Sequence, residues 1–104
     1  MTRLSVFAFA VVAAFPAAAE MYEVTMAGST YSPPSITARV GDTIRFVNDD
    51  VTNHQVFVAA VGYAFDLRNQ PAGEIREMVM LRAGNFEVEC VVHEHMRIAV
   101  EVLP

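Results

Sequence analysis

Asn85-Phe86-Glu87-Val88-Glu89-Cys90-Val91-Val92-His93-Glu94-His95-Met96 holds both the clearest strand pattern and the richest chemistry of the 104-residue chain. Its first half alternates apolar and polar residues. Successive side chains of a strand point to opposite faces, so Phe86, Val88 and Cys90 share one face while Asn85, Glu87 and Glu89 share the other. Cys90 is therefore expected to point inward at the end of a half-buried strand. Its second half gathers the chain's single cysteine, two of its three histidines and a methionine into seven residues.

Thiolate, imidazole and thioether together suit copper. Soft sulfur stabilises Cu(I), imidazole holds Cu(II), and a trigonal His₂Cys set with a weak axial Met is the blue-copper arrangement. Zinc and a purely structural role are the alternatives. One histidine comes from this loop, so a second must come from elsewhere. His54 is the remaining histidine and closes the polar run Asn48-Asp49-Asp50-Val51-Thr52-Asn53, just before an apolar, strand-like run from Val56 to Val58. Asp49-Asp50 reads as a turn rather than a catalytic pair.

The rest of the chain follows the same β pattern. Short runs rich in Val, Ile, Phe and Thr recur between turn signals, and no long window keeps a helical period. Strands are expected at about 22–26, 35–40, 43–48, 55–59, 74–81, 85–90 and 97–103. Gly41-Asp42 reads as a short hairpin connection, and Pro33-Pro34, Pro71-Ala72-Gly73 and Ala83-Gly84 punctuate strand starts. Residues 60–70 show neither period and are expected to form an irregular crossover between two sheets, with Tyr63 and Phe65 lying over the core. Seven short strands at this spacing point to an all-β sandwich or barrel.

Residues 1–19 carry Arg3, an apolar run from Leu4 to Phe15, and Pro16-Ala17-Ala18-Ala19 before Glu20. A basic start, a short apolar region and an A-x-A end describe a secretory signal peptide. A membrane-spanning helix needs roughly 20 apolar residues, and this run stops short. Cleavage after Ala19 would leave one domain, 20–104, exported to a bacterial periplasm and not inserted in the membrane. An unpaired cysteine in an oxidising compartment is either a liability or a reagent. Use as a metal thiolate accounts for it, and metal binding would add folding stability. Without Arg3, six arginines face twelve acidic residues, a net charge of −6, and the chain has no lysine. That balance argues against nucleic acid as a partner.

The order Gly41-Asp42-Thr43-Ile44-Arg45-Phe46, Asn48, His54, then Ala83 to Cys90, His93 and Met96 resembles the type I copper proteins, the cupredoxins. The spacing of Cys90, His93 and Met96 is similar to the short ligand loop of the amicyanin branch, while plastocyanins and pseudoazurins have a longer final gap. The resemblance implies a Greek-key β-sandwich of seven to eight strands. It also implies one type I copper ion held by His54, Cys90 and His93 with Met96 axial, and single-electron transfer as the work. The implied partners are periplasmic redox proteins, a donor dehydrogenase of the methylamine-dehydrogenase kind and a cytochrome-like acceptor, met by a monomeric carrier. Copper oxidases and reductases of this fold use further copper centres and domains, so an enzyme acting alone is not expected. Copper storage or delivery is the alternative, supported by Glu94 and His95 beside the ligands.

The chain departs from the family at several places. Gln55 follows the upstream histidine where an Asn usually helps tie the two ligand loops together. Val91-Val92 and Glu94-His95 flank His93 where amicyanin-like loops are usually apolar and contain proline. Ile98 replaces a usual Gly after the basic Arg97. His95 is expected at the surface, and its replacement by Ala is expected to leave the copper spectrum in place.

Overall fold

Runs in which every second residue is apolar can bury one face and wet the other, and this alternation builds most of the molecule. The computed structural model describes residues 18–104, and residues 1–17 of the predicted signal peptide lie outside the described residues. The strands are β1 (Met21–Ala27), β2 (Thr30–Ser32), β3 (Ser35–Arg39), β4 (Thr43–Asn48), β5 (His54–Val58), β6 (Phe65–Gln70), β7 (Ile75–Val79), β8 (Gly84–Cys90) and β9 (Arg97–Leu103). Among the described residues no helix is long and apolar enough to cross a membrane. One sheet has the order β2-β1-β4-β7 and the other β3-β9-β8-β5-β6. Strands β1 and β4 pair in parallel, as do β3 and β9, while the other pairs are antiparallel.

The two sheets close face to face as the expected β-sandwich. In β4, Ile44, Phe46 and Asn48 are buried, and in β9, Ile98, Val100 and Val102 are buried. The apolar side chains among these meet Val24 and Met26 of β1 and Phe86, Val88 and Cys90 of β8 in one core. Burial of such residues contributes about 1.5–3 kcal/mol for each large side chain, before the entropy of ordering is subtracted.

The strand count is nine rather than seven to eight, because two strands carry too little pattern to be read. β2 is three residues long, with only Tyr31 buried. β6 falls in the stretch expected to cross between sheets. Instead it turns back and pairs antiparallel with β5 at the edge of the same sheet, with a register shift between Gln55 and Phe57. As an edge strand it buries only Gln70, and Arg68 sits at φ 65°, so no alternation survives. Tyr63 does lie against the core, stacked on Phe86 at 5.4 Å between ring centres, and a Cβ on Gly84 would run into its ring. Phe65, by contrast, remains 37% exposed.

Gly41-Asp42 also differs from expectation. It joins β3 of one sheet to β4 of the other, making a corner rather than a hairpin. Gly41, at φ 96°, donates its N–H to the Met80 carbonyl, and Met80 donates to the Asp42 carbonyl. The buried Asp42 carboxylate accepts the Glu20 N–H at 2.9 Å and the Arg39 N–H at 2.8 Å. These two donors hold its carboxyl below the usual carboxylate value.

Candidate metal centre

Two segments at one end of the sandwich bring the donors together. The first begins where β4 ends. Asn48 is fully buried and spends its side chain on the loop that follows and on the end of β6: Nδ2 donates to the Thr52 and Gln70 carbonyls, both at 2.9 Å, and Oδ1 accepts the Asp50 N–H at 3.0 Å. A buried amide that satisfies three backbone groups fixes the loop's path. The chain thus returns as β5 with His54 as its first residue, 0% exposed.

The second segment is β8 and the loop after it. The strict alternation of β8 sends Cys90 inward, 3% exposed, as the sequence requires. The loop then returns through a turn in which Met96 N–H donates to the His93 carbonyl at 3.0 Å. Met96 is buried in the same core as Cys90, and His93 is half-buried between the exposed Val92 and Glu94.

His54, Cys90 and His93 converge, with one donor atom from each lying within 4.8 Å of the others. Cys90 Sγ is 3.7 Å from His54 Nδ1 and 3.9 Å from His93 Nδ1. A first-row metal with bonds of about 2.3 Å to sulfur and 2.0 Å to nitrogen, at a trigonal angle, separates the two donors by about 3.7 Å. The donor set and its spacing therefore fit a type I copper site. An apolar groove of about 310 Å³ beside Tyr63, Met80 and Phe86 shares no residue with this cluster.

Asp50 was read as a turn residue, and the structure gives it a role at this site. Its Oδ2 lies 3.0 Å from His54 Nε2. A carboxylate can only accept, so Nε2 donates to it, which in the neutral ring leaves Nδ1, the nitrogen facing Cys90, with the lone pair; this is the orienting arrangement common behind metal-binding histidines. The Ser29 N–H, at 2.9 Å, and then the His54 ring hold the Asp50 carboxyl below the usual carboxylate value. The sequence signal was an Asp four residues before the histidine, which loop polarity alone hides.

Gln55 ties the two segments through its backbone only. Its N–H points to Cys90 Sγ at 3.5 Å, and its carbonyl accepts the Val91 N–H at 2.9 Å. Its side chain turns away to Asp66, with Nε2 at 3.1 Å from both carboxylate oxygens. His95 is exposed as expected, yet it is not free: Nε2 donates to the Ser29 carbonyl at 2.8 Å. Arg97 donates from Nε to the Glu94 carbonyl at 3.3 Å and pairs with Glu87 and Glu89 at 2.9 and 3.2 Å.

No protein-family profile matches the chain. It is 35% identical over 90 residues to the methylamine utilization protein MauL of Methylorubrum extorquens AM1, an alignment covering 86% of this chain and 79% of MauL. Among solved structures, it superimposes on a reduced Cu(I) form of an amicyanin mutant with a TM-score of 0.73 and 25% identity, covering 86% of this chain and 87% of that one. It also matches the fold of a Cu-containing nitrite reductase from Thermus scotoductus, with a TM-score of 0.73 and 24% identity over 80% of this chain, but spans only 22% of that enzyme.

Proposed function

Because this chain belongs to the cupredoxins, in the family that includes MauL, we propose that it is a periplasmic electron carrier binding one copper ion through His54, Cys90, His93 and Met96. The convergence of two imidazole nitrogens on one buried thiol carries this reading. Bound there, copper supplies single-electron chemistry by cycling between Cu(II) and Cu(I).

The protein's own residues supply everything around that cycle. Cys90 offers its sulfur at the rim of the apolar core, buried to 3% exposure. His54 is fixed by Asp50 with one nitrogen committed, so its other nitrogen would meet a metal without reorienting. Met96 offers a weak, soft donor from within the core. Donors held this way would move little between the two copper states, which would keep the barrier to electron transfer low. His93 is the donor closest to solvent, beside Val91 and Val92 at 54% and 61% exposure, and offers partners the short route inward.

Residues 1–19 are proposed to be a signal peptide removed on export, leaving 20–104 as a monomeric copper domain. The name of MauL refers to methylamine utilization, so the donor we propose is an amine-oxidising dehydrogenase, with a cytochrome-like acceptor. In this reading the chain is not an enzyme acting alone. The test is the visible spectrum of residues 20–104 with one equivalent of Cu(II), followed by reduction and reoxidation. An intense band that bleaches and returns without copper loss supports a type I carrier. Copper released on reduction would favour delivery instead, and binding without the band would remove Cys90 from the ligand set.

A further inference from the structure

Gln55 stands where cupredoxins usually carry the Asn that ties the ligand loops, and its side chain is spent on Asp66. Side-chain connection between the two segments runs instead through the β1–β2 turn. The Ser29 carbonyl accepts from His95 Nε2 at 2.8 Å. The Ser29 N–H donates to Asp50 Oδ2 at 2.9 Å, and that same oxygen accepts from His54 Nε2 at 3.0 Å. A second contact runs from the same hairpin, where the buried Tyr31 hydroxyl donates to the carbonyl of Glu89, the residue before Cys90, at 2.8 Å.

The turn is built for this. Gly28 and Ser29 sit at φ 56° and 54°, the doubly left-handed conformation of a tight two-residue hairpin. A serine is an unfavourable choice there compared with glycine, and this conformation directs one peptide group of Ser29 to each ligand segment.

We propose that the β1–β2 turn is a positioning bridge in which His95, Ser29 and Asp50 couple the orientation of His54 to the loop carrying His93, replacing the tie that Gln55 no longer makes. The inference rests on His54 and His93 being the metal-binding histidines. His95, Ser29 and Asp50 are positioning residues, since each acts on the donors through another group. Their effect is to hold both imidazole rings in register, with ring centres 4.9 Å apart, before any metal arrives.

Amide hydrogen exchange on the metal-free protein tests the bridge directly. His95→Phe keeps the ring's bulk and removes the donor, so exchange at the Ser29 N–H, which bonds Asp50 rather than His95, should rise about tenfold. Asp50→Ala should raise exchange by about tenfold at the Met96 N–H, on the far side of the bridge. Tenfold is the scale of one lost hydrogen bond, about 1.4 kcal/mol. His95→Gln can still donate to the Ser29 carbonyl and should return the rates toward those of the unsubstituted protein. With Cu(II) added, His95→Phe should keep the thiolate band but change the copper hyperfine splitting, and His95→Gln should restore it.

Unchanged exchange at Ser29 in His95→Phe, or identical behaviour of His95→Phe and His95→Gln, in a protein that turns blue with copper would overturn the bridge alone. An unsubstituted protein that gives no intense band would overturn the metal reading, and with it the claim that the bridge positions ligands.

Discussion

The two segments that deliver the histidines are built in opposite ways. From Asn48 to His54 the segment is pinned from the core: the buried Asn48 satisfies three backbone groups, and Asp50 fixes the buried imidazole. From Val91 to Met96 the loop leans on its neighbours, through the Gln55 carbonyl, Ser29 and Arg97. One segment is held from the core, and the other is held at the surface, where a bound metal would tighten it further. The difference teaches that a rigid centre can be made from one rigid half, provided the second half closes onto it and keeps its histidine near solvent.

The largest expected effect comes from removing the atom on which both segments converge. Cys90→Ser should abolish the intense copper band outright while the metal-free far-UV circular dichroism keeps its β character; a surviving band would break the convergence on sulfur. Next, Asn48→Ala leaves two carbonyls and one N–H without their partner and should cost about 3 kcal/mol in urea unfolding of the metal-free protein. Its midpoint should fall without a change in slope. A loss well under 1 kcal/mol would mean the upstream segment does not hold itself.

Copper at about a hundred times its dissociation constant should stabilise the fold by about 2.7 kcal/mol. Added protection from hydrogen exchange should concentrate in residues 91–96 rather than 48–54, and the reverse distribution would invert the comparison. The smallest effect is expected from Arg97→Ala. Its ion pairs with Glu87 and Glu89 are half exposed, so thermal unfolding should report under about 1 kcal/mol. A larger loss would show that the bond to the Glu94 carbonyl braces the loop more than its neighbours do.

Legibility in the sequence followed the same physical divide. Strands β8 and β9 were readable because each buries one face of a sheet, so Phe86, Val88, Cys90, Ile98, Val100 and Val102 announce themselves by alternation. Cys90, His93 and Met96 stand out in the sequence by residue type and spacing, and His54 only as the remaining histidine; the structure brings His54, Cys90 and His93 together. β6 was hidden because an edge strand has no face to bury and hence no period. The Gly41-Asp42 corner was mistaken for a hairpin because both need the same turn residues, and only tertiary pairing separates them. Asp50 and Ser29 were missed for a different reason: they act through a carboxylate and a backbone amide in a polar loop, where composition says only that water is near.

The corner at Asp42 has one more consequence, which lies in time rather than in space. Its carboxylate accepts the Glu20 N–H at 2.9 Å. Cleavage after Ala19 would convert that nitrogen from a neutral amide into an α-ammonium, which stays charged below a pH of about 7.7–8.0. A hydrogen bond in the precursor would become a charge-assisted contact in the mature chain, of a kind roughly twice as strong. A peptidase cutting there would then also fasten the first residue to the junction of the two sheets.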